Sequence, residues 1–358
     1  MKTIPYVLLL PLALIVLFTQ CEKEPEPETA FRDANFLNAL IDRGIDTNGD
    51  SLISATEAEV VHYLDVQDCG ISDLRGIELF SNLLYLYCHG NELSFLDISN
   101  NTALTNLDCS SNPITTLDIS NCINLKKLRC EYSHLSKLDL SNNNALEELD
   151  CSNTPLYTLD ISNCAALKHL DCNMCQLSSL DLSKCGELEW LECQYNHIFK
   201  LDLSNHATLK RLDCGENLLT SLDLSNCTAL RRLYCPFNQL PALDVSICTD
   251  LELLECQYNE ITHLDVSNSK LLYWLDCGAT QLTSLDPTNN PALIALFCGE
   301  TPITNLDVSN NNLLEQFHIQ NMLNLGEVCV WVLPFPPEGV DAIWGGSPKI
   351  YFTKTCGN

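Results

Sequence analysis

The sequence predicts a mostly β solenoid: a right-handed coil with parallel strands on its concave face, a short helical N-terminal cap and a small C-terminal cap. Three observations carry this expectation. First, a frame Leu-x-Cys begins at Leu86/Cys88 and returns every 21 residues to Leu296/Cys298, eleven units without insertion or deletion. Leu and Cys alternate with a variable residue, the period of two of a strand with one buried face. Second, three places after each Cys stands a small residue: Asn91, Asn112, Ser133, Thr154, Cys175, Asn196, Asn217, Asn238, Asn259, Thr280 and Thr301. Such side chains can bond the turn backbone, which must be satisfied when buried, and Asn can do so as both donor and acceptor. Third, every unit carries an Asp between two inward apolar residues, as in Leu117-Asp118-Ile119, from Asp97 to Asp307. That pattern predicts a second short strand per unit with the Asp outward. No single unit closes a core, so stability comes from stacking, and the ends need caps.

The unit resembles the bacterial 21-residue leucine-rich repeats of form LxxLxLxxNxLxxLDLxxN over roughly residues 81 to 320. The domain organisation expected is one elongated solenoid, 81–320, between an N-terminal cap, 31–80, and a C-terminal cap, 321–358. In the C-terminal cap, Val328–Leu333 and Lys349–Phe352 read as strands around a loop from Pro334 to Pro348. Cys329 and Cys356 lie outside the cysteine frame and are candidates for a disulfide.

At the N-terminus, Lys2 precedes an apolar run, Ile4 to Phe18, too short to span a membrane. With Cys21 directly after it, residues 1–21 resemble a bacterial lipoprotein signal, and the resemblance implies a lipid on Cys21. Gln20 stands where that pattern has a small residue. Residues 22–30 form an acidic Pro/Glu tether, similar to the export tags of lipoproteins on the outer face of Gram-negative cells. The location implied is the cell surface or outer membrane, the alternative being secretion.

Within the N-terminal cap, residues 46–57 are flanked by helical patterns and resemble an EF-hand loop. Asp46, Asn48, Asp50 and Ser54 supply oxygens at positions 1, 3, 5 and 9, Leu52 a carbonyl at position 7, and Glu57 the carboxylate at position 12. The resemblance implies one calcium ion. Ser51 replaces the family's Gly at position 6, and a polar loop that caps the solenoid without metal is the alternative.

The formal charge of −28 argues against nucleic acid as a partner, because phosphate binding needs a Lys/Arg surface. The 21 cysteines do not read as a disulfide framework. Eleven fall in one inward column, and Cys122, Cys164, Cys185, Cys227 and Cys248 in a second, where parallel-stacked thiols behave as small buried hydrophobes. None of the eight histidines has metal spacing with another, and no G-x-S-x-G, H-E-x-x-H or glycine-rich phosphate loop occurs, so nothing points to an enzyme.

The variable columns of the strand face are left to carry function. Trp190, Tyr195, Arg211, Arg232, Tyr234, Phe237, Tyr258 and Trp274 fall within five consecutive units and are the residue types enriched at binding hot spots. They predict a binding module for a protein or a glycan. A structural spacer of the envelope, whose aromatics merely cover the face, is the competing reading.

Overall fold

A computed structural model describes residues 31–355. The expected signal peptide, the tether, Cys21 and Cys356 lie outside the described residues. Helix α1, Ala34–Asp42, is capped by Asp33, whose carboxylate accepts the amides of Asn35 and Phe36 at 2.8 and 3.1 Å. Its second oxygen takes the amide and hydroxyl of Ser72 at 2.7 and 2.8 Å, tying the helix to the first coil. Helix α2, Ala55–Glu59, opens with a capping box in which Ser54 and Glu57 bond each other's backbone.

As far as β12 the strands follow one per coil: β1 Tyr63–Asp65, β2 Tyr85–Tyr87, β3 Asn106–Asp108, β4 Lys127–Arg129, β5 Glu148–Asp150, β6 His169–Asp171, β7 Trp190–Glu192, β8 Arg211–Asp213 and β9 Arg232–Tyr234. Then come β10 Leu253–Glu255, β11 Trp274–Asp276, β12 Ala295–Phe297, β13 Asn305–Asp307, β14 Gln316–His318, β15 Glu327–Cys329, β16 Asp341–Ile343 and β17 Tyr351–Thr353. Strands β1 to β12, β14 and β16 make one fourteen-stranded parallel sheet. Register is strict: Leu107 lies opposite Leu128, and Leu128 opposite Leu149. The fold is therefore the parallel-strand solenoid that the period predicts.

Both cysteine columns are buried, and their thiols are unpaired. Burial pushes them up from their ordinary range, Cys122 to about 11 and Cys164 to about 12. Cys329 is disulfide-bonded.

The small-residue column works chiefly through its asparagines. Asn217 donates to the carbonyls of Cys214 and Gly215 in its own coil at 3.1 and 3.0 Å, and to Cys193 of the coil before at 2.9 Å. Its side-chain oxygen accepts the amide of Ile198 at 3.0 Å. Asn91, Asn112, Asn196, Asn238 and Asn259 repeat this set. Thr280 and Thr301 reach only the carbonyl of their own Cys. Ser133 departs from the expectation: its buried hydroxyl has no hydrogen-bond partner. Its single-carbon stem does not carry an amide to two coils.

Two expectations are corrected. The second strand of each unit is paired only in the last coils, where β13, β15 and β17 form a three-stranded sheet, and in one bridge, Leu96 to Leu117. The sheet holds coils about 4.8 Å apart on one wall, and curvature opens the opposite wall beyond hydrogen-bond reach. There the Asp column closes local turns instead: Asp118 accepts the amide of Ser120 and Asp139 that of Ser141, at 3.0 and 2.9 Å. Those bonds, hydroxyl and then amide, hold both carboxyls below their ordinary range. The expected loop from Pro334 to Pro348 contains strand β16, which continues the main sheet with Ala342 opposite Phe317. The coil has lengthened there, and the fixed frame no longer reveals it.

Candidate functional site

Strand residues that flank each inward Leu stand on the outer face of the main sheet, at positions i and i+2 of the same strand. Coil stacking then makes columns. One place further back along the strand runs a column of alternating charge. Lys126 and Lys168 flank Glu147 at 3.2 and 3.1 Å, Lys210 meets Glu189 at 2.6 Å and Arg231 meets Glu252 at 3.1 Å. Exposed pairs of this kind add little stability, about 0–1 kcal/mol each. Their consequence is electrostatic: those bases and acids neutralise one another along one margin of the sheet. This ladder was legible in the sequence as opposite charges 21 residues apart, and reading units singly misses it.

The column between Leu and Cys is acidic and mostly unpaired. Asp150 and Asp171 take part in no ion pair among the described residues. Asp150 accepts the amide and hydroxyl of Ser152, and Asp171 accepts the amide of Asn173. Burial raises Asp171 to about 7, and Asp213 and Asp276 to about 6, with neighbouring carboxylates adding to the shift. Glu131, just after the Cys130 of its coil, rises to about 7 for the same reasons.

The eight residues singled out in the sequence divide into separate groups. Trp190, about half exposed, stacks on His169 with centroids 4.9 Å apart. Arg211 pairs with Glu192 at 2.8 Å and lies over the Tyr234 ring, 4.8 Å from its centroid. Arg232 is exposed on β9. Trp274 packs on Phe297, with His318 on the ring's other side. Phe237 and Tyr258 stack face to face, 4.2 Å apart.

Tyr195, Phe237 and Tyr258 do not stand on strands. They occupy the turn two places after the Cys, at φ 55°, 51° and 56°. Every coil from Ser111 to Asn321 puts a non-glycine residue there in the left-handed region, at a cost of roughly 1–2 kcal/mol each. The sequence hid this, because only Gly90 marks the position with the residue type that normally signals it.

A cavity of about 240 Å³ opens on the face over β4 to β7, between Arg129 and Trp190. It lies nearer the N-terminus than the aromatic run suggested, and Lys127, Glu148, Asp150 and Asp171 were not among the residues expected to bind.

In the EF-hand-like loop, Ser51 does adopt a left-handed φ of 64° and donates its amide to Asp46 at 2.9 Å. Asn48 and Asp50 accept amides of the loop. Glu57 takes the amide and hydroxyl of Thr47 on one oxygen and those of Ser54 on the other. These bonds, Ser54 first, hold its carboxyl down at about 2. With both oxygens so engaged Glu57 is not placed to chelate, so the donor set as folded does not fit calcium without opening the capping box.

No family model matches the chain, and no curated relative does. Solved structures do match. The functional domain of InlJ from Listeria monocytogenes, which includes a cysteine ladder, is 30% identical over 84% of this chain and 77% of that one, with a TM-score of 0.63. The internalin inlF from L. monocytogenes is 23% identical over 88% and 95%, with a TM-score of 0.76. A leucine-rich-repeat protein of Leptospira interrogans is 22% identical over 84% and 87%, at 0.65.

The raised carboxyls set a pH dependence. Asp171, Asp213, Asp276 and Glu131 bind protons more tightly folded than unfolded. Their contribution is therefore full below the ordinary carboxylate range, about pH 4, and is lost as pH rises from there through 6 and 7. The outward Asp column, held low, acts oppositely and loses its contribution on acidification. The melting temperature is expected to peak near about pH 4 and to fall by several degrees toward pH 8, with Asp171→Asn flattening that fall. A melting temperature at pH 8 equal to that at pH 5 would show that these carboxyls are not desolvated.

Proposed function

We infer the function from what the chain is: it belongs to the leucine-rich-repeat proteins, and stacked repeats of this kind present an extended concave surface suited to binding. We read the chain as a non-enzymatic module that recognises a protein or a glycan through that face. The observation that carries the reading is Trp190, a large ring left half exposed at the edge of a cavity on the sheet. Rings with a polar handle in such a place are what partner surfaces bury. The inward columns hold to Leu, to Cys and to small polar residues, mostly Asn, whereas the facing columns change widely in size and charge from unit to unit. The spacer reading draws on the self-neutralising charge ladder, which needs no partner. A double variant, Trp190→Ala with Trp274→Ala, is expected to lose capture of partners from the native surroundings of the chain. Its melting temperature should fall only slightly, by the ring contacts of Trp190 with His169 and of Trp274 with Phe297. Full retention of capture would place recognition elsewhere.

A location at the cell surface or outer membrane, through lipid on Cys21, completes the proposal. No helix among the described residues is long and apolar enough to cross a membrane. Cys21→Ala is expected to release the protein into the soluble fraction; a variant that still sediments with membranes refutes the anchor.

The loop Asp46–Glu57 is proposed to take one calcium ion, Glu57 exchanging its bonds to Thr47 and Ser54 for the metal. The left-handed turn at Ser51 supports this, since the loop family needs such a turn at its sixth position. Calcium should raise the melting temperature of the wild type and leave Asp46→Ala unmoved. An identical response in both, or none in either, argues for a metal-free cap.

A further inference from the structure

The concave face specifies its ligand most closely over β6 and β7, and the identity of that ligand rests on the reading of this face as a binding surface. The two strands are in register, His169 against Trp190 and Asp171 against Glu192. Alternate residues of a strand point the same way, so the four side chains stand at the corners of a rectangle roughly 5 by 7 Å. His169 backs one face of the indole at 4.9 Å with planes 27° apart, fixing its orientation, and Trp190 keeps about half its surface open. Beside it are Asp171 and, one strand back, Asp150, neither ion-paired among the described residues. Glu192 is shared with Arg211. All but Arg211 border the same cavity of about 240 Å³.

An open indole face beside carboxylates that lack a counter-ion is an environment that a cation completes, through the ring quadrupole on one side and charge on the other. A metal ion makes no use of the indole, and no group of metal-ligating side chains gathers among the described residues. A neutral sugar would stack on the ring and donate hydroxyls to the half-buried carboxylates, but it brings no charge to offset theirs. An anion is repelled. The stem of lysine or arginine lies along an aromatic ring while its head reaches past it to acids. Of the cations that border the cavity, Lys127 is paired with Glu148, and Arg129 stands opposite Asp150, two strands away from Asp171. We propose that this cavity receives a basic side chain, lysine or arginine, of a protein partner, held by Trp190, Asp171 and Glu192 with Asp150 behind.

The probe is Nα-acetyl-lysine methylamide, titrated into the full chain at low salt and followed by tryptophan fluorescence. Saturable quenching in the millimolar range is expected, absent in Trp190→Phe. The Nε-acetylated probe, which keeps the stem and loses the charge, should bind at least ten-fold more weakly. Asp171→Asn with Glu192→Gln should weaken the lysine probe at least ten-fold. Glu187→Gln with Asp250→Asn removes the same charge from exposed sites away from the cavity and should leave the affinity unchanged. Circular dichroism melts establish that each variant is folded. The proposal is overturned if both probes bind alike, if the control pair weakens binding as much as the cavity pair, or if the lysine probe does not bind. Saturation by chitotriose in place of lysine would overturn the basic side chain while leaving a concave-face receptor intact. Retained capture by the Trp190/Trp274 double variant would instead place recognition away from this face and overturn the reading on which the proposal rests.

Discussion

The fold depends on the two-sided hydrogen bonding of one amide. Asn217 donates to carbonyls of its own turn and of the coil before and accepts an amide from that coil, all out of water. An unmet buried polar group costs about 1–3 kcal/mol. A slip of one residue between coils would strand every one of these groups and turn the Leu-x-Cys face outward. Period, register and burial are therefore a single constraint. It explains why eleven units run without an insertion.

That constraint divides the chain between columns that cannot vary and columns that can, and the two carboxylate columns show the difference. Asp118 and Asp139 meet local amides and hydroxyls and are stabilised as ions. Asp171 and Asp213 lie on the opposite wall, between neighbouring strands, and are pushed toward their neutral form. Chemically identical side chains, stacked at the same spacing, thus behave in opposite ways according to what their own coil offers them. The outward column is part of the turn. The inner one is answered only in part, by Arg211 beside Glu192 and Asp213, and Asp150 and Asp171 have no ion pair among the described residues, which is why it bears on function.

How far this was legible in the sequence depends on how locally each feature is determined. The Leu-x-Cys frame and the asparagines needed only the period, since each is repeated and has one physical use. The same period overstated the second strand, because pairing there depends on the distance between walls, which no single unit encodes. It missed β16, where the coil lengthens while the pairing of Ala342 with Phe317 persists. Of the aromatic residues singled out, Trp190, Tyr195, Phe237 and Tyr258 are exposed, Tyr234 and Trp274 are half-buried, and the set falls into separate groups. Phe237 and Tyr258 follow the strand into a left-handed turn, and Trp274 turns toward Phe297. The cavity was the least legible, since Arg129, Asp150 and Trp190 come together only through the stacking of four coils.

The unpaired thiols give the solenoid an asymmetry between opening and closing. While a coil is stacked, its sulfur is dry and held as the thiol, and exchange chemistry needs the thiolate. A coil that frays from an end returns its cysteine to water and to an ordinary ionisation. In an oxidising medium neighbouring frayed coils can then be joined, sulfur to sulfur, in a geometry that the stacked ladder does not share. Reclosure is blocked from that point on. The lifetime of such a molecule is governed by how rarely its end coils lift, rather than by the depth of its folded minimum. The caps that bind α1 to Ser72 and close β15 against β17 act as guards on that rate.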